Sequence, residues 1–172
     1  MQKQATSLAL IVPSFNSGRF LRDLLCSIYG GETSLGYMDG QTILPTETIV
    51  CDDASTDNSL EIMQELHKEF PVRFIKHTTN RGTSSACNSA ISVTKCEYIT
   101  RMDADDMRES WSFERMLEVQ LANPHSLVFD NTMIFLNGQR QGKEWVMPDY
   151  DFQRLLSVNT MHCGIMYPRK AW

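Results

Sequence analysis

The sequence has no uninterrupted apolar run long enough to cross a bilayer. Met1 to Ser7 is polar, and the apolar run Leu8 to Val12 is too short for a signal-peptide core or a membrane span. It has no C-x-x-C pair, and its five cysteines (Cys26, Cys51, Cys87, Cys96 and Cys163) are odd in number. Cys51, Cys87 and Cys96 sit in apolar or small-residue surroundings, where a free Cys behaves as a small hydrophobe. The expectation is a reducing, cytoplasmic setting, with any membrane association left to regions outside this stretch. Basic excess is also missing: a net charge of −5 leaves no basic footprint and disfavours nucleic acid as a partner. No G-x-G-x-x-G follows the first apolar run and no G-x-x-x-x-G-K-[ST] occurs, which argues against a dinucleotide cofactor and a P-loop nucleotide hydrolase. Repeats and low-complexity segments are absent. At 172 residues the length predicts one domain, 1–172, with a core of its own.

What is present is an alternation of strand-like and helix-like segments. Leu8 to Val12 reads as a strand buried on both faces. Phe20, Leu24 and Ile28 recur at helical spacing, which predicts a helix over Arg19 to Tyr29 capped by Asn16 or Ser17. Gly30 to Pro45 reads as a long loop. Glu47 to Cys51 is a second strand, followed by a helix from Asn58 with Asn58 and Glu61 placed as a capping box. Val72 to Ile75 is a third strand, Thr83 to Val93 a helix of mostly small residues, and Tyr98 to Met102 a fourth strand. A helix around Phe113 to Leu121 is stopped by Asn123-Pro124. Beyond Pro124, Leu127 to Leu136 is β-like and Asn137-Gly138 signals a hairpin with a return near Glu144 to Met147. A helix over Phe152 to Val158 and a short strand over Gly164 to Tyr167 complete the pattern. Strand–helix alternation over 1–122 predicts the α/β class, a mostly parallel central sheet flanked by helices.

The polar residues that could do chemistry follow three predicted strands: Ser14-Phe15-Asn16, Asp52-Asp53, and Asp103-Ala104-Asp105-Asp106. In open α/β sheets the ligand sits at the carboxyl ends of the strands, so these three stretches should converge. Three carboxylates within four residues repel one another, and a hard divalent cation such as Mg²⁺ or Mn²⁺ removes that cost. The competing reading is a solvated acidic turn at a helix start. Acidic groups can also accept hydrogen bonds from ribose or a base, and Phe15 offers a face for stacking. Together these suit a nucleoside diphosphate carried with its metal.

Ile11-Val12-Pro13-Ser14-Phe15-Asn16, Asp52-Asp53-Ala54-Ser55-Thr56-Asp57, Asn80-Arg81-Gly82 with Ala86-Cys87-Asn88, and Asp103-Ala104-Asp105-Asp106 resemble the motifs of the family 2 glycosyltransferases. The resemblance covers most of the chain in order. It implies the nucleotide-sugar-binding A fold (GT-A), an inverting, metal-dependent transfer from a nucleotide sugar, and an acceptor that is a glycan, lipid or protein. It implies that Pro13 and Phe15 border the base with Asn16 beside them, that Asp53 and Asn80 hydrogen-bond the base, and that Asp103 contacts the ribose. Asp105, with Asp103 as a second candidate, would hold Mn²⁺ or Mg²⁺. Asp52 is expected to be structural and Asp106 to support the loop. Residues 1–122 would bind nucleotide, and 123–172 would begin the acceptor side.

The chain departs from the family pattern at three places. Cys87 stands where the family commonly has Arg, so one cationic contact is either lost or supplied by Arg81. The Gly30 to Pro45 loop is longer than usual. The segment His162 to Arg169 resembles the stretch just before the family's catalytic base, so the base is expected beyond Trp172. Asp130, Asp149 and Asp151 lie outside the base's context. His162 is a weak metal candidate, since a lone His in a strand is more often structural. Trp111 and Trp145 are candidates for an acceptor groove, but core or hairpin packing is the stronger expectation. Two other readings compete: a catalytically inactive nucleotide-sugar-binding domain, and a nucleotidyltransferase, which normally carries a glycine-rich basic loop that Pro13 to Gly18 does not supply.

Overall fold

A computed structural model of the chain describes residues 6–136, 139–145 and 164–172. The opening apolar run forms β1 (Leu8–Ser14), buried at every position. Helix α1 (Gly18–Tyr29) follows, then β2 (Gly31–Thr33) and β3 (Gly36–Met38), which pair antiparallel. The segment read as a loop therefore contains a small ribbon. Its three-residue strands are too short to display an alternating pattern. Next come β4 (Glu47–Asp52), α2 (Ser59–Glu69), β5 (Val72–Lys76), α3 (Thr83–Val93), β6 (Tyr98–Arg101) and α4 (Ser112–Ala122). The remaining described strands are β7 (Val128–Phe129), β8 (Thr132–Leu136), β9 (Gln139–Trp145) and β10 (Ile165–Pro168).

The central sheet has the order β5-β4-β1-β6-β10-β7. Its first four strands are parallel, and β10 runs antiparallel to both β6 and β7. The α/β class with a mostly parallel sheet is thus the observed one. β8 and β9 form a separate antiparallel ribbon whose return begins at Gln139, earlier than the expected Glu144. The Asn137-Gly138 turn and the helix expected over Phe152 to Val158 lie outside the described residues. Among the described residues no helix is long and apolar enough to cross a membrane.

Alternation along the strands sorts the core into two layers. Leu8, Leu10 and Val12 pack with Leu21, Leu24, Leu25 and Ile28 of α1, Met63 and Leu66 of α2, and Phe113 and Met116 of α4. Ala9 and Ile11 face the other way, against Ala86, Ala90 and Ile91 of α3 and Ile49 and Cys51 of β4. Fully burying one Leu or Ile contributes roughly 1.5–3 kcal/mol, so the three-helix layer carries most of the stabilisation. The small residues of α3 let its backbone lie close to β1 and β4, which only a helix poor in bulky side chains can do. Trp111 departs from the expectation of core packing, being 55% exposed at the start of α4.

The starts of α1 and α2 are secured partly across the chain. Neither Ser17 nor Asn58 caps its helix through a side-chain hydrogen bond. The Gly18 N–H donates instead to Ser59 Oγ (2.8 Å), and Asp57 Oδ1 accepts from the Ser59 N–H (3.0 Å). Asn16 Oδ1 accepts from the backbone N–H of Thr56 (2.8 Å) and Asp57 (3.3 Å). The expected capping box is replaced by this mutual stitching, which sequence spacing alone does not encode.

Gly18 marks the close approach of α1 to α2: a Cβ there would stand 2.9 Å from Ser59 Cα and from Ile62 Cδ1. Gly18→Ala should therefore destabilise the fold by about 1–3 kcal/mol through overpacking, measured as a lowered urea midpoint at unchanged slope.

Candidate functional site

The chain runs from β1 outward through β4 to β5, then returns to place β6 on the opposite side of β1. The reversal in strand order falls between β1 and β6, the place where an open α/β sheet leaves a crevice at its carboxyl edge. A cleft of about 180 Å³ lies there. Its walls are Pro13 and Phe15 at the end of β1, Asp53 after β4, Thr83 and Ala86 of α3, and Asp103 and Asp105 after β6. Five of the residues singled out in the sequence thus meet, although they are spread over more than ninety positions. Phe15 is 46% exposed, so its ring is open to a partner.

Strand parity decides which member of the Asp52-Asp53 pair reaches this cleft. Val50 belongs to the three-helix layer and Cys51 to the α3 layer. Asp52 therefore turns toward the first and Asp53 toward the second. Asp52 is fully buried, and its Oδ2 accepts the Ser55 N–H (3.1 Å) that turns the chain into α2. Asp53 is 2% exposed. Its Oδ1 accepts from His77 Nδ1 (2.7 Å) and the Arg81 N–H (2.9 Å), and its Oδ2 accepts from the Gly82 N–H (2.6 Å). Gly82 has φ +84°, a left-handed conformation that a side chain would strain, and this orients its N–H toward the carboxylate.

Removal from water pushes the Asp53 carboxyl upward. Hydrogen bonds from His77, Arg81 and Gly82, with the His77 charge, outweigh that and hold it below its ordinary value of 3.8. Burial, reinforced by the Asp53 and Asp52 charges, pushes the Cys51 thiol up to about 11. Cys87 is also raised by burial, partly offset by the Arg101 guanidinium beside it.

Other site candidates fall at or beyond the rim. Asn16, Asn80 and Arg81 have exposed side chains and do not line the cleft. Asn16 holds the β4–α2 loop, Asn80 Oδ1 accepts the Gly82 N–H (3.3 Å), and Arg81 meets Asp53 through its backbone. His162, Asp149 and Asp151 lie outside the described residues. Asp130 is ion-paired to Arg108, a side chain only 7% exposed, and so is not poised to take a proton. The Asp106 N–H donates to the Asp103 carbonyl (3.2 Å), which tightens the acidic turn.

Sequence reasoning missed several participants. His77 carries no motif and is visible only once β5 is set beside β4. Arg101, ion-paired with Asp103, is the cation that stands next to Cys87. Ser14, already noted among the polar residues after the first strand, also lines the cleft, and its buried Oγ has no hydrogen-bond partner among the described residues.

The acidic pair fits an open cation site rather than a closed one. Asp105 is exposed and lines the cleft, and Asp103 lies beside it with one oxygen engaged by Arg101. Among the described residues no three His, Cys, Asp or Glu side chains converge as a closed metal cage. Mg²⁺ and Mn²⁺ commonly take one or two carboxylates and complete their shell with water and phosphate, which this arrangement allows.

Comparison with known proteins gives the family and the fold. The family described as Glycosyl transferase family 2 matches residues 9–165. The chain is 30% identical to the chondroitin synthase of Escherichia coli, over 99% of its own length and 24% of that protein. It is 25% identical to the hyaluronan synthase of Pasteurella multocida, over 96% of this chain and 16% of that one. It thus spans a quarter or less of these relatives. Among solved structures, S. aureus TarS in complex with UDP-GlcNAc superposes with a TM-score of 0.68 at 20% identity, covering 95% of this chain and 46% of that one. The mannosyltransferase PcManGT from Pyrobaculum calidifontis, in complex with GDP-Man and Mn²⁺, gives 0.65 at 20% identity, over 98% and 46%. At these identities the two structures share the fold.

The Asp53 network has a defined pH signature. A carboxyl depressed on folding stabilises fully above its unfolded value near 3.8, and that stabilisation is lost as pH falls through the lower folded value. The stability difference between wild type and Asp53→Asn, measured by urea unfolding, should shrink as pH falls below about 4.

Proposed function

The chain belongs to glycosyl transferase family 2, and from that membership we propose that it transfers a sugar from a nucleoside diphosphate donor to an acceptor hydroxyl with inversion at the anomeric carbon. The observation that carries this reading is the convergence of Phe15, Asp53, Asp103 and Asp105 in one cleft at the reversal of strand order. The relatives named for chondroitin and hyaluronan synthesis, and the neighbour bound to UDP-GlcNAc, make a UDP-sugar the first donor to test and a glycan the first acceptor. Residues 1–122 form the donor side and 123–172 begin the acceptor side.

In this reading Pro13 and the exposed face of Phe15 flank the base. Asp53 acts mainly through the Arg81-Gly82 backbone that it holds, and the exposed Asn80 side chain meets the base edge. Asn16 and Arg81 contribute at the rim. Asp103 contacts the ribose, and Asp105 holds Mn²⁺ or Mg²⁺. A bound divalent ion supplies positive charge to the departing diphosphate. Arg101 keeps the negative charge of the acidic turn from repelling the donor and takes the place of the cation the family has at Cys87. Transfer forms the bond from acceptor oxygen to anomeric carbon as the bond to the diphosphate oxygen breaks, and a general base takes the hydroxyl proton. Asp130 is not assigned that role, because it is already committed to Arg108.

Calorimetry with UDP, GDP and dTDP, with and without Mn²⁺, tests the donor site. Metal-dependent binding of one nucleotide is expected, weakened about tenfold or more in Asp105→Ala. A folded protein that binds none of the three would refute the assignment.

A further inference from the structure

His77 belongs to none of the motifs that define the cleft and does not line it, yet it is 7% exposed and bonded at both ends of its ring. Nδ1 lies 2.7 Å from Asp53 Oδ1, and Nε2 lies 2.8 Å from Ser89 Oγ on α3. Cys51 Sγ stands 3.7 Å from Nε2. Its backbone is fixed as well, since the His77 N–H donates to the Asp52 carbonyl (2.8 Å). The charged or titratable groups around this ring are Asp53 and Cys51 on the β4 side, with Arg81 reaching the same carboxylate through its N–H.

We infer that His77 is a positioning residue for the nucleotide cleft: its Nδ1–H fixes Asp53, and Asp53 in turn fixes the Arg81-Gly82 backbone at the start of α3. The chemistry is directional. Asp53 Oδ1 is shared between His77 and the Arg81 N–H, and Oδ2 is taken by the Gly82 N–H. Without the imidazole donor the carboxylate keeps only loop donors, and nothing on the sheet side ties it to β5. The carboxylate that anchors the loop closing one wall of the cleft is then held from the loop side alone. The inference rests on the donor-site reading for its effect on binding, but the anchoring itself does not require a ligand.

Two substitutions separate positioning from space filling. In His77→Asn the side-chain amide overlies Nδ1 and can still donate to Asp53, though it fills less volume. In His77→Gln the amide overlies Nε2, meeting Ser89 while leaving Asp53 without its donor. Nucleotide affinity with Mn²⁺ should stay within about threefold of wild type for His77→Asn and fall about tenfold or more for His77→Gln, the scale of one lost hydrogen bond to a charged group. Packing alone predicts the opposite order, so Gln equal to or better than Asn overturns the inference. The backbone amide resonances of Arg81 and Gly82 in the ligand-free protein provide a second readout. They should hold their positions in the Asn variant and shift in the Gln variant. If wild type binds no nucleotide, the donor-site reading fails while these resonances still decide the anchoring. If only the Gln variant fails to fold, displaced Gly82 and Arg81 amides in the Asn variant overturn the inference and retained ones support it. Failure of the Asn variant to fold also overturns it, since the donor is kept.

Discussion

A carboxylate withdrawn from water must have its charge met, and that requirement at Asp53 organises the site. Burial of an unpartnered carboxylate costs several kcal/mol, so the group is stable only where donors converge on it. Here the donors come from two directions: the imidazole at the end of β5 and two successive backbone N–H groups ahead of α3. One side chain thus ties the carboxyl ends of β4 and β5 to the start of α3. The left-handed Gly82 is bound up with the same constraint, because a residue with a side chain would resist the backbone geometry that presents its N–H.

The two sheet faces divide the labour between stability and binding. The face covered by α1, α2 and α4 is filled by Leu, Ile, Met and Phe side chains. The α3 face is built from Ala, Cys and Ile, which bury less area but let a helix start come close to the ends of β1 and β4. Strand parity then directs Asp53, Arg101 and Asp103 toward the α3 side, where small residues leave room for a ligand. The packed side supplies rigidity to strands whose ends must stay in register for the cleft to exist.

The loops after β1 and β4 bind one another. Asn16 holds the backbone of Thr56 and Asp57, and Ser59 reaches back to the first N–H of α1. Phe15 is therefore presented from a loop fastened at both flanks, with Asn16 itself at φ +51°. Pre-organised walls of this kind lower the ordering cost of binding. Across the cleft, the acidic turn is balanced by Arg101 on one oxygen of Asp103, while Asp105 stays exposed. Hydrogen-bonded walls on one side face an exposed carboxylate on the other.

Local pattern was enough to specify the elements with strong periodicity and the polar stretches that end them. The Leu8 run, the helix over Thr83 to Val93 and the strand leading into Asp103 are each dictated this way, because burial on one or both faces imposes a period of its own. The family was legible too, since four ordered motifs survive in a linear reading. Contacts between segments distant in sequence needed the assembled fold. His77 is an ordinary residue after a short strand until β5 pairs with β4 and brings it to Asp53. The expected helix caps gave way to Ser59 and Asn16 reaching across, and Arg101 rather than Arg81 came to stand beside Cys87. Spacing encodes which face a side chain takes, but not which partner from another element waits there; that is fixed by strand order, which no local pattern records.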